Sequence, residues 1–394
     1  MKKFLTTVLL LFGVATAIAQ MDTLRFVHYK LLMFPNANPN KAIHLRPIVN
    51  YLQPDVFSVN ELTSQDGIDS LMKYALDTSK YAPAPWIADG TLISSLFYNK
   101  QKLGILRAYS LATNPRKTFI YEFFYKAQDF TLHPDTIKFR EFVVHLKSSQ
   151  GADNVFQRAE QTGTIRWHIN QSVDKRNCIL AGDFNMYTSN EEGYQNLLLP
   201  GNGQFFDPIE RPGNWSNNAT FSDIHTQSPR TTSFDNGVTG GMDDRFDFFV
   251  TTEDVIDGRF GMRYLPNTYI AVGNDGNHFN KSIVEAPANN SVPDSVLQAL
   301  HLMSDHIPVV MNVEFDPANA FNKIAEMQYA SCNFSPELLD KIAFKKATIM
   351  SLDGKFNWEL LPKTKIPELA EGIYIITVYT ENSGVCKQKW AVIN

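Results

Sequence analysis

Five separated places in the chain put acids, amides or histidines at the ends of short apolar runs. Glu61 closes Pro54-Asp55-Val56-Phe57-Ser58-Val59-Asn60-Glu61, and His145 closes Glu141-Phe142-Val143-Val144-His145. Asp183 and Asn185 lie in Ala181-Gly182-Asp183-Phe184-Asn185; Asp244, Arg245 and Asp247 follow Met242-Asp243; Asp305 and His306 stand before Ile307-Pro308. An acid that follows an apolar strand sits at the rim of its sheet, where side chains of several strands can meet one ligand. Carboxylate and amide oxygens suit a hard divalent cation, a carboxylate can take a proton from water, and a His–carboxylate pair keeps a cationic donor in place. Together these are the demands of hydrolysis at phosphorus. Each place has a bland reading when taken alone: Asp183 and Asn185 as an Asx turn, Glu61 as a solvated strand end, Asp244-Arg245 as a surface salt bridge, Asp305-His306 as a strand-start turn. One shared site explains all five more simply than five accidents. Carboxylates clustered without a cation would repel one another, so the set also predicts a bound cation.

The elements that must position these residues follow from periodicity. Leu24–Leu32, Val56–Val59, Leu92–Tyr98, Thr118–Tyr125, Glu141–Leu146, Cys178–Ala181, Phe246–Val250 and Ile307–Val313 read as strands. Val155, Ala159, Thr162, Ile165, Ile169 and Val173 recur at helical spacing, which predicts a helix over Asp153–Val173, and a second covers Lys41–Leu52. The alternation predicts a layered α/β domain. Leu199–Gly241 and Pro266–Pro293, rich in Gly, Asn, Pro, Ser and Thr, read as long surface loops ending near the candidate motifs. After Phe315 the pattern changes to short β-type runs, Ala347–Leu352, Asn357–Leu361, Gly372–Thr380 and Val385–Ile393, with Asp353-Gly354 as a turn signal.

The first residues read as a secretory signal peptide. Met1, Lys2 and Lys3 precede an apolar run from Val8 to Val14, and Ala17-Ile18-Ala19 supplies a small-residue cleavage pattern. The run is shorter than the about 20 residues of a membrane span, so stable membrane insertion is not expected. Export through the periplasm to a secreted or cell-surface location is. Removing residues 1–19 moves the formal charge from −5 to −7, which excludes a broad basic footprint for nucleic acid while leaving room for a local one. The roughly 375 residues left favour two domains. Of the three cysteines, Cys178 reads as a buried small hydrophobe, whereas Cys332 and Cys386 could pair in an exported protein.

Over Leu24–Phe315 the chain resembles the endonuclease/exonuclease/phosphatase family, which includes deoxyribonucleases, abasic-site endonucleases, sphingomyelinases and inositol phosphatases. The resemblance rests on Gly-Asp-Phe-Asn at 182–185 in conjunction with the upstream Pro-Asp-Val and Glu61, the strand-end His145, Arg245-Phe246-Asp247 and Ser304-Asp305-His306, all in the family's order. It implies a four-layer sandwich of two packed mixed β-sheets flanked by helices over residues 20–316. It further implies that Glu61 is the main metal ligand, with Asp305 assisting at the metal or orienting its neighbour, and that Asp183 aligns the water and takes its proton. Asn185 and His145 would contact the phosphate; His306, oriented by Asp247, would stabilise the transition state, with Arg245 as an orienting residue. The cofactor implied is Mg²⁺, with Mn²⁺ or Ca²⁺ as alternatives, and the substrate a phosphodiester, DNA or RNA first. Lipid head groups and inositol or sugar phosphates are alternative substrates. A second reading is a phosphate-ligand binding protein that keeps the fold without turnover.

One departure from the family's pattern falls in the first strand, where His28-Tyr29-Lys30 carries Lys30 in place of the usual Asn. Lysine has no acceptor and cannot coordinate a cation. Lys30 is therefore expected to contact the substrate phosphate or to neutralise Glu61, and Asn36 or Asn60 is a candidate to supply the missing amide. Residues 319–394 resemble the sorting domain of type IX secretion substrates, carried by Asn333-Phe334-Ser335-Pro336, Ser351-Leu352-Asp353-Gly354-Lys355 and Gly372-Ile373-Tyr374. That resemblance implies a small β-sandwich and the type IX machinery as a partner.

Overall fold

Nearly every side chain of β1 (Asp22–Phe34) and β2 (Val56–Leu62) is buried, the pattern of strands covered on both faces. The two run parallel, with Phe26 opposite Val56, His28 opposite Ser58 and Lys30 opposite Asn60. The computed structural model describes residues 21–90, 92–126, 137–317, 344–351, 357–362, 369–370, 372–380 and 385–392. Residues 1–19, the Asp353-Gly354 turn, Cys332 and the side chain of Cys386 lie outside that set.

The first sheet adds β3 (Tyr81–Pro83), β4 (Ile93–Asn99), β11 (Met262–Tyr264), β12 (Ile270–Ala271) and β13 (Val309–Phe315). Its order is β11-β13-β1-β2-β4-β3, with β12 beside β13. The second comprises β5 (Leu103–Leu111), β6 (Thr118–Tyr125), β7 (Lys138–His145), β8 (Cys178–Asp183), β9 (Phe205–Phe206) and β10 (Asp247–Thr252), in the order β5-β6-β7-β8-β10-β9. Each sheet is mixed and carries one parallel pair near its centre, β1 with β2 and β7 with β8. A parallel pair needs a crossover, and helices supply both: α1 (Ala42–Leu52) between β1 and β2, and α3 (Ala152–Gln171) between β7 and β8.

Two-residue periodicity sorts the side chains into layers. Phe119, Tyr121 and Phe123 of β6, Phe139 and Val143 of β7, Ile179 and Ala181 of β8 and Phe249 of β10 share the cluster that includes the first sheet. Their neighbours Ile120, Phe142, Val144, Leu180, Phe248 and Val250 pack outward against Ile165 and Ile169 of α3 and Tyr194 and Leu197 of α4 (Glu192–Leu198). Phe139 meets Phe26 and Phe315 of the facing sheet, each at 5.7 Å between ring centroids. Leu45, Ile48 and Val49 of α1 and Leu297 and Leu300 of α6 (Asp294–Met303) join the first sheet's cluster. Two packed mixed sheets flanked by helices are thus present, as expected. Counting back by twos, His145, Asp183 and Asp247 fall on the inward face of the second sheet, and His28 and Lys30 on the inward face of the first.

Several elements were not foreseen. β5 leaves much of its length half-exposed, and so shows no clean alternation. Helices α2 (Gln65–Tyr74), α4, α5 (Glu253–Asp257) and α6 are ten residues or fewer, too short for their periodicity to stand out. The stretches 199–241 and 266–293 are loops, interrupted only by β9, a 3-10 turn at Ala219–Ile224 and β12.

The tail forms a separate four-stranded antiparallel sheet of β14 (Phe344–Ser351), β15 (Asn357–Leu360), β16 (Gly372–Thr380) and β17 (Val385–Val392), in the order β15-β14-β16-β17. Ala347, Ile349, Leu360, Ile376 and Val378 are its buried residues of least exposure.

Candidate active site

The two parallel pairs end beside each other, and the sequence dictates how. His145 is opposite Asp183 across β7 and β8, and Asp183 is opposite Asp247 across β8 and β10. Gly182 permits this register, because a Cβ there would lie 2.0 Å from the carbonyl oxygen of Val144. Only glycine lets β8 approach β7 so closely. Across the gap between sheets, the Asp183 N–H donates to Oδ1 of Asn60 at 3.0 Å, and Asn60 Nδ2 donates to Ser94 at 2.8 Å. Asn60 therefore ties the second sheet's site strand to the first.

At the ends of β1 and β2 the ladder breaks. Leu32, Met33 and Glu61 have φ of 51°, 45° and 63°, a left-handed conformation that costs a side-chain-bearing residue about 1 kcal/mol or more. The distortion turns the Glu61 carboxylate back toward β1, where Oε2 accepts from the Met33 N–H at 3.0 Å.

Lys30 stands at the centre. Its Nζ lies 3.4 Å from Glu61 Oε1, 3.5 Å from Asp183 Oδ2, 3.9 Å from Asp305 Oδ1 and 3.0 Å from His306 Nε2. Burial by itself would discharge the ammonium, but Asp305, Glu61 and Asp183 overcome it and hold the Lys30 pKa above its ordinary value. Burial likewise works to raise Asp305, yet Lys30, then His306 and the Val238 N–H, bring it down to about 2. Asp183 goes the other way: burial pushes it up to about 6, only partly offset by Lys30 and His306.

His306 Nδ1 is 2.6 Å from Asp247 Oδ2, the orienting contact expected of Asp247. Thr226 Oγ1 donates to the same oxygen at 2.7 Å. Nε2 of His306 faces two donors, Lys30 Nζ and Gln227 Nε2 at 2.8 Å, so in this arrangement the ring's proton is on Nδ1. Burial opposes a charge on His306, while Asp247 and Asp183 make it more basic than ordinary imidazole. His145 Nε2 is 3.8 Å from Glu61 and 3.7 Å from Asp183. Burial, with Arg116 and Lys30 nearby, holds its pKa far below the imidazole range, so it is neutral. Asn185, at φ 52°, donates its backbone N–H to Asp183 Oδ1 at 3.0 Å and Nδ2 to the Leu146 carbonyl at 3.3 Å.

The structure thus gathers Lys30, Glu61, His145, Asp183, Asn185, Asp247, Asp305 and His306. Arg245 is not with them. It does not pair on the surface with Asp244; its guanidinium is fully buried and forks onto Asp207 at 2.8 and 3.1 Å, over Trp215 and Phe248. Strict alternation would put residues 245 and 247 on one face, but β10 begins only at Asp247, so Arg245 lies before the strand and outside its period. Asn36 is exposed in a turn, and the Asn60 amide is already engaged, so neither replaces the amide absent at position 30. The residues not foreseen are Thr226, Gln227, His28, whose Nε2 lies 3.9 Å from Asp247 Oδ1, and Arg116, which caps the carbonyls of His145 and Leu146 at 3.2 and 2.7 Å. Thr226 and Gln227 lie in the long loop after Leu199, whose length was the one available signal.

Asp183, Asp247 and His306 could hold a metal ion, because each offers one ligand atom and these lie within 4.8 Å of one another. Asp247 Oδ1 is buried without a hydrogen-bond partner, as an atom awaiting a ligand would be, whereas Asp183 Oδ2, likewise without a hydrogen bond, lies 3.5 Å from the Lys30 ammonium. Around Glu61 and Asp305 the fit is different. Mg²⁺ demands oxygens at about 2.0–2.1 Å, and the Lys30 ammonium, which has no lone pair to offer, already occupies the space between these carboxylates. With Lys30 in place, that pair does not fit a divalent ion.

No family model matches the chain. No curated protein matches it either. Among solved structures it is similar to an endonuclease/exonuclease/phosphatase family protein from Bacteroides thetaiotaomicron, at 15% identity, over 75% of this chain and 99% of that one, with a TM-score of 0.49. It is similar to D. rerio TDP2 complexed with single strand DNA product, at 15% identity over 74% and 98% of the two chains and a TM-score of 0.49. A third similar structure is a mannosyl-6-phosphatase of Bacteroides thetaiotaomicron VPI-5482, at 15% identity over 74% and 99%, with a TM-score of 0.48.

Proposed function

We propose that the chain is a phosphoesterase that cleaves a phosphodiester by attack of water, with Asp183 taking the water's proton. The observation that carries this reading is the convergence of Asp183, the Asp247–His306 pair, His145 and Lys30 at a rim shared by both sheets. Asp183 is a carboxylate poised near neutrality and keeps one buried oxygen free for a proton. Lys30, His145 and the second amide hydrogen of Asn185 contact the phosphate oxygens. His306 in its protonated form, favoured by Asp247, gives its proton to the leaving-group oxygen as that oxygen's bond to phosphorus breaks, while Asp183 holds the proton of the attacking water. A divalent cation, Mg²⁺ before Mn²⁺ or Ca²⁺, would be held by Asp183, Asp247 and His306 in an alternative state, in which the metal in place of a proton on His306 would polarise a phosphoryl oxygen.

Nucleic acid is the substrate we place first, with recognition local to the rim because the chain is acidic overall. Residues 1–19 and the tail sheet support a secreted or cell-surface enzyme delivered by the type IX machinery. The test is release of p-nitrophenol from bis-p-nitrophenyl phosphate and nicking of plasmid DNA, with Mg²⁺, Mn²⁺, Ca²⁺ or a chelator. Phosphate binding without turnover of either substrate under all four conditions would replace the hydrolase with a binding protein, the second reading that a lysine amid the carboxylates favours.

A further inference from the structure

We infer that the ammonium of Lys30 is the resident cation of the Glu61–Asp183–Asp305 centre, filling the place of a divalent ion, so that this part of the site is built to work without one. The three carboxylates are disposed alike. Glu61 gives Oε2 to the Met33 N–H, Asp183 gives Oδ1 to the Asn185 N–H and Asp305 gives Oδ2 to the Val238 N–H, each at 3.0 Å. In every case the remaining oxygen is the one turned to Lys30 Nζ, at 3.4, 3.5 and 3.9 Å. Three backbone donors from three separate segments thus aim three carboxylates at one point, and the point is occupied by an atom of the chain itself.

The placement of Lys30 is fixed as firmly as that of its partners. The parallel register sets it opposite Asn60 on the inward face, and Ser304 Oγ donates to its carbonyl at 2.6 Å. The residue is only 7% exposed, so the ammonium cannot swing out to solvent without dragging its stem through the packed rim. Buried carboxylates without a cation are costly, and the fold answers that cost with a lysine. A dication brought to the same oxygens would stand within a few ångströms of a charge of its own sign.

The inference concerns which cation the centre holds and stands whether or not the site turns over a phosphoester. It is tested on the full chain by calorimetric titration with Mn²⁺ and by thermal midpoints in EDTA, Mg²⁺ and Mn²⁺, for the wild type, Glu61→Gln, Lys30→Asn and the double variant. In the wild type, Glu61→Gln should leave any Mn²⁺ uptake unchanged. Lys30→Asn should lower the midpoint in EDTA, recover it in Mn²⁺ and bind Mn²⁺ at least about tenfold more tightly than the wild type, through a site that Glu61→Gln then removes. Should Lys30→Asn fail to fold even with Mn²⁺, the wild type and Glu61→Gln decide between them. Wild-type Mn²⁺ binding that Glu61→Gln weakens tenfold or more overturns the inference, as does a folded Lys30→Asn variant with unchanged or weaker affinity.

Discussion

Within 4 Å of one ammonium lie three carboxylates and an imidazole, and this crowding sets the residue-scale chemistry. Burial lifts Asp183 to about 6, which suits it to collect a proton near neutral pH. Turnover should therefore rise with pH through about 6, since the ionised form is the base, and level off above it. Asp183→Asn should lower turnover by at least about a hundredfold and abolish that rise. Near-normal rates in a folded variant would remove Asp183 from the mechanism. Asp305, held at about 2 by Lys30, stays ionised across the same range and acts by orienting the ammonium.

Among the elements, β7 and β8 carry the precision of the site. Gly182→Ala would place a methyl 2.0 Å from the Val144 carbonyl and force the two strands apart at the very pair that aligns His145 with Asp183. A loss of about 1–3 kcal/mol is expected from such overpacking. Turnover should fall with it, and urea unfolding beside steady-state rates checks both; an unchanged midpoint would mean that β8 has slack. Glu141, further back on the inward face of β7, has no hydrogen bond to either oxygen, and burial pushes its pKa up to about 8 against a smaller pull from Ser58. Its folded-state pKa thus exceeds the ordinary 4.5, so its contribution is intact below about pH 4.5 and is lost as pH climbs through about 8. Glu141→Gln should gain on the wild type between pH 5 and 8 by on the order of 1 kcal/mol per pH unit. A stability difference flat across that range would show that Glu141 is solvated or paired in solution.

For the whole molecule, the first unit completes its sheet when β13 pairs with β1, and the strands of the tail sheet pair with one another. Every residue assigned a role lies between Lys30 and His306. Deleting Asn319–Asn394 should therefore leave phosphoesterase activity within about twofold and keep the main thermal transition, in line with independent domains. In the native host the same deletion should strand the protein in the periplasm. An unfolded or inactive truncation would make the tail an integral part of the hydrolase, and unchanged export would remove the sorting role.

What the sequence determined by itself is whatever rests on local pattern. Period-two runs marked most of the strands, the 3.6-residue period marked the long helix α3, and each acid behind an apolar run did fall at the rim. The contact of His306 with Asp247 was what the family resemblance, not local pattern, implied. Only the tertiary structure decided where Lys30 points, because an ammonium's environment depends on three carboxylates that lie 31, 153 and 275 residues away in sequence. It likewise placed Arg245 on the far side against Asp207 and recruited Thr226 and Gln227 from a loop without periodicity. Side chains on regular elements inherit their direction from the backbone's period; those in loops and at broken strand ends receive it from contacts that no local pattern encodes.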